Sequence, residues 1–137
     1  MRIFLDANIL FSAAKSDGAV KRLLTLLIDA GHECWVDNYV LEEARRNLAV
    51  KMPESLSVLD AVLSQLHLAD IHTSSTVPGA ALKLPEKDRP VLAAAIRLRC
   101  EALVTGDRTH FGYLYGKTID GVKIYSPRLL AEKLLLV

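Results

Sequence analysis

The sequence predicts an α/β fold: a three-layer α/β/α sandwich built around a central parallel sheet. The first observation is a set of short apolar runs, mostly without the alternation of a half-exposed strand, as expected for strands covered on both faces. These runs are IFL at 3–5, CWV at 34–36, ALV at 102–104 and VKIY at 122–125. The second observation is that longer segments with helical spacing separate the runs. Such alternation favours parallel strands joined by right-handed crossovers.

The first half of the chain contains three predicted helices. Apolar residues recur with helical spacing over residues 20–28, and Gly31 follows where a C′ cap is expected. Beyond CWV, the segment YVLEEARRNL at 39–48 carries a second apolar stripe. Residues 55–69 carry a third, so we expect one helix across that range.

The second half is predicted to contain one long loop and two helices. Residues 70–85, DIHTSSTVPGAALKLP, are rich in small and turn-forming residues and are expected to form the loop. The segment PEKDRPVLAAAIRLR then predicts a helix that leads into ALV. Ser126 and Pro127 suit the N-cap and first position of a last helix, which is expected to run to the terminus.

Composition favours one domain without a strong charge preference. With 137 residues, 51% of them hydrophobic and 24% charged, the chain is expected to form a single domain over residues 1–137. The 17 basic and 16 acidic side chains give a formal net charge of +1. Nucleic acid, a membrane surface or an acidic substrate would therefore have to be recognised by a local patch.

The cysteines and the amino terminus suggest a reduced, cytoplasmic protein. Cys34 and Cys100 are too few for a disulfide framework and too far apart for the paired ligands of a zinc site. Asp6 interrupts the apolar amino terminus, which favours a core strand over a secretory signal. No segment approaches the roughly 18 consecutive apolar residues of a membrane span, so no membrane partner is expected.

Two aspartates follow predicted strands. Asp6 comes directly after IFL, and Asp107 follows LVTG. The carboxyl ends of parallel strands meet at one edge of the sheet, where ligands bind in open α/β folds. If the first strand continues past Asp6, Asn8 lies on the same face. The alternative is that Asp6 only ends its strand or caps the following turn.

Helical geometry separates the two glutamates of YVLEEARRNL. At about 100° per residue, Glu43 lies roughly 100° from Ala44, at the margin of the buried stripe. Glu42 lies roughly 160° away on the solvent side. If one of them is functional, Glu43 is the choice, although an ordinary charged helix face explains both. The same reasoning turns Asp88 towards the apolar side at the start of its helix, where capping of free backbone N–H groups is the alternative explanation.

Four converging carboxylates require an explanation. Like charges a few ångströms apart favour protonation and destabilise a fold, and a divalent cation would offset the repulsion. Oxygen ligands without a cluster of His or Cys suit Mg²⁺ or Mn²⁺ better than Zn²⁺. His110 is interpreted as a substrate-side or surface group rather than a ligand.

The motifs, taken in order, resemble those of a PIN-domain nuclease, particularly its small stand-alone, VapC-like members. The resemblance covers nearly the whole chain, through IFLDANILFSA, VDNYVLEEARRNL, KDRPVLAAAI, EALVTGDRTHF and GVKIYSPRLLAEKL. It implies an acidic site for Mg²⁺ or Mn²⁺ at the carboxyl ends of the strands and hydrolysis of phosphodiester bonds, usually of RNA. Many relatives carry a small hydroxyl residue at the position of Asp37, so this chain departs from the family pattern there. By match of motif, the metal-site acids are Asp6, Glu43, Asp88 and Asp107, with Asn8 and Thr105 as supporting polar groups.

Several functions are compatible with this sequence. The main hypothesis is a metal-dependent endoribonuclease, with the toxin of a type II toxin–antitoxin pair as its role. A catalytically silent module that binds RNA or protein in the same groove is the alternative. A phosphohydrolase of small esters or a nucleotide-binding protein is a third, and the lack of a phosphate-binding glycine motif weakens its nucleotide version.

Expected partners follow from the same hypothesis. Four arginines flank the acids in sequence and are candidates for phosphate contacts, with charged helix surface as the alternative for each. They are Arg45, Arg46, Arg89 and Arg108. A homodimer and an antitoxin are expected from the habits of the family. The leucine-rich helices of residues 38–69 would offer the dimer contact, unless those leucines pack inside the monomer.

Overall fold

A computed structural model describes residues 1–70 and 83–134. A six-stranded sheet has the strand order β3-β2-β1-β4-β6-β5, and all neighbours are parallel except β5 and β6. The strands are β1 (Arg2–Leu5), β2 (Glu33–Asp37), β3 (His67–Ala69), β4 (Ala102–Val104), β5 (Thr118–Ile119) and β6 (Val122–Tyr125). The helices are α1 (Ala7–Lys15), α2 (Ala19–Asp29), α3 (Asn38–Lys51), α4 (Leu56–Leu63), α5 (Arg89–Arg97), α6 (Arg108–Phe111) and α7 (Pro127–Leu134).

The predicted sandwich is confirmed. All four predicted strands are present as β1, β2, β4 and β6, and most of their residues are buried. Strand β1 lies in the middle of the sheet, where Ile3 is paired with Cys34 of β2 on one side and Ala102 of β4 on the other. Helices cover both faces, as the apolar runs without alternation require. The carboxyl ends of β1, β2 and β4 therefore lie side by side.

The prediction of one helix over residues 55–69 is wrong in its second half. Helix α4 ends at Leu63, and β3 extends the sheet beside β2, with His67 paired with Trp35. The two rings stack with centroids 4.8 Å apart. Strand β3 has three residues and lies at the exposed edge of the sheet, so it lacks the apolar pattern that marks a strand. Most of the predicted loop of residues 70–85 lies outside the described residues.

A short hairpin adds an antiparallel strand at one edge of the sheet. Strand β5 is paired with β6 through a turn in which Asp120 and Gly121 have φ angles of 48° and 86°. Positive φ at both central positions is the requirement of a type I′ turn, for which Asp-Gly is a preferred pair. This dipeptide was the available sequence signal for a strand that was not predicted.

The predicted helix boundaries at Gly31 and Ser126 are confirmed. Gly31 has a φ of 90°, and its N–H donates to the carbonyl of Ile28 while the next N–H donates to that of Leu27. These two bonds are the Schellman pattern. The Ser126 hydroxyl accepts the N–H of Leu129 at the start of α7. The described part of α7 reaches Leu134, and the last three residues lie outside it.

The leucines of α3 and α4 belong to the core of the monomer. Leu41, Leu48 and Leu59 are all buried in the single chain, which supports the packing explanation for this leucine-rich region. Leu68 of β3 is exposed, however, so the dimer contact expected from residues 38–69 stays a prediction. Across the described ranges, no helix has the length and apolar character needed to cross a bilayer.

Candidate active site

The four acids line one cleft of about 290 Å³ at the carboxyl edge of the sheet. Asp6 directly follows β1, Asp107 lies three residues beyond β4, and Glu43 projects from the second turn of α3. Asp88 ends a 3₁₀ turn that leads into α5. The other residues that line the cleft are Ala7, Asn8, Asn47, Lys87 and Gly106.

Asp6 is fixed by the helix that follows it. Strand β1 does not continue past Asp6, because α1 begins at Ala7 and the Asp6 Oδ1 atom accepts the Ala7 N–H at 2.7 Å. The capping alternative is thus correct in part. Asn8 still reaches the same carboxylate, since its Nδ2 donates to Oδ2 at 3.2 Å from the first helical turn. The Thr105 hydroxyl donates to Oδ2 at 2.7 Å.

The segment after β4 is tied to the segment after β1. The Oγ1 atom of buried Thr105 accepts the Asp107 N–H at 3.1 Å and an Asn8 amide N–H at 3.3 Å. The Gly106 N–H donates to Asn8 Oδ1 at 2.7 Å. A side chain at position 106 would place its Cβ 3.3 Å from that oxygen, a closer approach than most Cβ atoms make. These bonds hold Asp6 and Asp107 in a fixed relation.

Burial and mutual repulsion oppose ionisation in the cleft. Burial raises the pKa of Asp6 to about 6; hydrogen bonds from Thr105 and Ala7 act against this, and the negative charges of Glu43 and Asp88 add to it. Burial also raises the pKa of Asp88, with His110 acting in the opposite direction. A positive charge in the cleft would relieve both effects.

His110 contacts two of the four acids. Its Nδ1 lies 2.7 Å from Asp88 Oδ2 and 2.9 Å from Asp107 Oδ2, while its backbone N–H donates to Asp107 Oδ1 at 3.1 Å. Asp88 makes no side-chain cap bond to α5 among the described residues, so helix capping does not explain its inward position. The sequence interpretation of His110 did not anticipate this contact. The i,i+3 spacing from Asp107 was the available signal.

The helical wheel oriented the two glutamates correctly. Glu43 is partly buried and lines the cleft, whereas Glu42 is exposed. Asn47 lies one turn beyond Glu43 on the same face of α3 and was missed, although the i,i+4 spacing points to it. Lys87 was also missed, and it is the one cationic residue among the described residues that line the cleft.

None of the four flanking arginines lines the acid cleft in the described structure. Arg45 pairs with Asp60 at 3.7 Å, with both side chains exposed, and Arg46 is exposed on the same helix. Arg89 Nε donates to the Leu84 carbonyl at 3.0 Å. Arg108 lines a neighbouring pocket of about 430 Å³, and that pocket shares Gly106 with the cleft.

Comparison with known proteins identifies the family to which this cleft belongs. The sequence matches the PIN domain over residues 2–109, a range that contains all four acids, Asn8 and Thr105. The chain belongs to the PIN-domain family. PIN domains are generally nucleases, and the acidic cleft is compatible with that activity.

A solved structure supports the same fold. The chain is similar to one in the crystal structure of VapBC2 from Rickettsia felis bound to a DNA fragment from their promoter. The TM-score is 0.64 at 19% sequence identity, and the match covers 92% of this chain and 98% of the other. No curated protein matched the sequence. At this identity the structural likeness shows that the two chains share a PIN-domain fold.

Proposed function

We propose that this PIN domain is a metal-dependent endoribonuclease that hydrolyses phosphodiester bonds. The observation that carries the proposal is the convergence of Asp6, Glu43, Asp88 and Asp107 on one cleft. The donor set fits Mg²⁺ or Mn²⁺, because carboxylate oxygens are the ligands that hard divalent cations prefer. The raised pKa of buried Asp6, to about 6, is a second sign that the cleft suits a cation.

The roles of the protein groups follow from their positions. When bound, a divalent cation lowers the pKa of a water molecule and offsets the charge that develops on the phosphate oxygens. Asp6, Glu43, Asp88 and Asp107 would hold it. Thr105 and Asn8 orient Asp6 through hydrogen bonds to its Oδ2 atom. Lys87 offers a positive charge to the phosphate at the rim of the acids.

An RNA substrate needs cations beside the acids, since four carboxylates repel a phosphodiester chain. The pocket that adjoins the cleft at Gly106 supplies two, Arg108 and Arg128, with Tyr115 in the same wall. Arg128 also pairs with Glu132 at 3.1 Å. Arg108 is thus the best supported of the four predicted phosphate contacts. Arg45 is the least supported, because it lines neither the cleft nor the adjoining pocket and pairs with Asp60. Arg46 and Arg89 remain predictions.

A toxin role is the biological setting that we propose. The similar chain of known structure belongs to VapBC2, bound there to DNA from a promoter. By analogy, this protein would act in the cytoplasm, pair with an antitoxin and form a homodimer. Co-purification with the product of an adjacent small gene would test the antitoxin, and light scattering of the pure protein would test the dimer. A monomer without such a partner would contradict this setting while leaving the nuclease proposal intact.

The nuclease proposal is tested with a mixed RNA pool and a circular RNA, which only an endonuclease can open. We expect the wild-type protein to cleave both substrates with Mn²⁺ and to cleave neither with EDTA. Asp6→Asn and Asp107→Asn should cleave neither substrate with Mn²⁺, although their circular dichroism spectra match that of the wild type. Undiminished cleavage by both folded variants would refute the assignment.

The silent binding module predicts a different result in the same experiment. The wild-type protein would then retain RNA in a gel-shift assay and leave both substrates intact in Mg²⁺ and in Mn²⁺. A protein that neither binds nor cuts RNA would contradict both functions.

A further inference from the structure

The cluster of Asp88, Asp107 and His110 combines two carboxylates with an imidazole, and each residue offers one ligand atom within 4.8 Å of the others. We propose that His110 binds the metal ion directly through Nδ1, so that the site favours Mn²⁺ over Mg²⁺. This inference rests on the proposed metal dependence, but its tests do not require RNA cleavage. It also replaces the sequence interpretation of His110 as a substrate-side or surface group.

The distances from the His110 nitrogen to the two carboxylate oxygens are close to those between neighbouring ligands of one ion. Neighbouring ligands at right angles, each about 2.1 Å from the ion, lie about 3.0 Å from one another. Nδ1 of His110 lies 2.7 Å from Asp88 Oδ2 and 2.9 Å from Asp107 Oδ2. A small rearrangement therefore makes room for an ion, and the imidazole ring already faces both carboxylates.

A hydrogen bond alone does not satisfy this cluster. A neutral imidazole has at most one proton on Nδ1, and that N–H donates a good hydrogen bond to only one carboxylate. Two carboxylate oxygens lie 2.7 Å and 2.9 Å from this nitrogen. Asp88 Oδ2 and His110 Nδ1 have almost no solvent-exposed surface, so water cannot compensate. An ion in place of the proton would satisfy both oxygens and the nitrogen. The ring would then bind as the neutral tautomer with its single proton on Nε2, so Nδ1 loses its proton to solvent and Nε2 takes one up from solvent.

The nitrogen donor has a consequence for metal choice. Mg²⁺ takes oxygen ligands and gives up its water reluctantly, while imidazole suits transition metals better than it suits Mg²⁺. A site of carboxylates alone would discriminate less between Mg²⁺ and Mn²⁺. His110 is thus the residue that separates this cleft from an all-oxygen site.

Electron spin-echo spectroscopy of bound Mn²⁺ tests the ligand directly, because nitrogen bound to Mn²⁺ modulates the echo. The full-length protein should show this modulation, and ¹⁵N-labelled histidine should change its frequency. His110→Asn should abolish it, since asparagine keeps a polar side chain but has no imidazole. The matched control is His67→Asn, because His67 stacks on Trp35 at the edge of the sheet. The control should leave the modulation unchanged.

Calorimetric titration gives the second readout. In His110→Asn, the ratio of Mn²⁺ to Mg²⁺ affinity should fall by about tenfold or more, the scale of loss when a metal site loses a supporting or binding group. Absence of nitrogen modulation in wild-type protein loaded with Mn²⁺, or an unchanged affinity ratio in the folded variant, would overturn the inference. RNA cleavage in that case leaves the nuclease proposal standing. Nitrogen modulation without RNA cleavage supports the ligand and contradicts the nuclease.

Discussion

Asp6 and Asp37 have nearly the same local structure. Each lies at the carboxyl end of a strand, β1 or β2, and each caps the helix that follows. Asp6 Oδ1 accepts the Ala7 N–H at 2.7 Å, and Asp37 Oδ1 accepts the Val40 N–H at 3.0 Å. Both residues are 3% exposed.

Their neighbours differ. Asp6 faces Glu43 and Asp88, whose charges add to the effect of burial on its pKa. Burial also raises the pKa of Asp37, but the groups that act against burial there are backbone N–H donors and Arg97. A buried aspartate at a strand end is therefore not in itself a sign of a functional site. A functional site is indicated when other carboxylates lie close to such an aspartate, as they do at Asp6. This difference between Asp6 and Asp37 can be tested.

The largest expected effect is on RNA cleavage. Asp6→Asn should reduce the cleavage rate by at least about 100-fold, because one of the four groups proposed to hold the metal is lost. Asp37→Asn should remain within about twofold of wild type, since asparagine also caps helices well. Initial rates on a fluorescent RNA, in Mn²⁺, measure both. Equal losses in the two variants would break the comparison.

The stabilisation of the protein by a bound metal ion should also differ between the Asp6 and Asp37 variants. A ligand present at about 100 times its dissociation constant stabilises a protein by about 2.7 kcal/mol. We expect Mn²⁺ to raise the melting temperature of the wild type and of Asp37→Asn alike, and that of Asp6→Asn much less. Differential scanning fluorimetry with and without EDTA provides the measurement. An undiminished shift in Asp6→Asn would place the ion away from Asp6.

The Thr105 hydroxyl supports Asp6, and no side-chain hydroxyl is bonded to Asp37 in the described structure. Thr105→Val keeps the shape but leaves the Asp107 N–H without its acceptor, so we expect a loss of about 1–3 kcal/mol in the free energy of unfolding. Cleavage should fall as well. Thr105→Ser is the matched control, because it keeps the hydroxyl. Urea unfolding measures the stability of each variant, and initial cleavage rates measure its activity. Equal activity in the two variants would count against an orienting role for the Thr105 hydroxyl.

The smallest expected effect is a pH dependence at Asp37. Its pKa is raised on folding, chiefly by burial. Its contribution to stability is thus fully present below the unfolded pKa of about 3.9 and is lost as the pH rises through the higher folded value. Asp37→Asn should therefore gain stability relative to wild type as the pH rises through the acidic range, and the gain should then level off. Urea titrations in EDTA measure this difference, and a gain that shrinks with pH would contradict it.

The sequence predicted the central part of this molecule better than its edges. Strands β1 and β4 are buried on both faces, so their apolar runs were visible, and the stripe of α3 was regular enough to separate Glu43 from Glu42. Strand β3 is a strand because β2 lies beside it, and its own residues do not show this.

The site could be predicted only as far as its local chemistry allowed. Asp6 and Asp107 were accessible to prediction because each closely follows a buried strand. The contact between His110 and Asp88 joins α6 to the start of α5, and such contacts depend on how the elements pack. The bonds that Thr105 and Gly106 make to the start of α1 have the same origin.

Because β1 lies between β2 and β4 in the sheet, the cleft combines residues that are synthesised early with residues that are synthesised late. Asp6 is made early, but its partners on the far side of the cleft follow β4, about a hundred residues later in the chain. A nascent chain on the ribosome therefore cannot assemble the four acids until Asp107 has left the exit tunnel. A polypeptide with the chemistry proposed here would remain harmless to the RNA around it for most of its own translation.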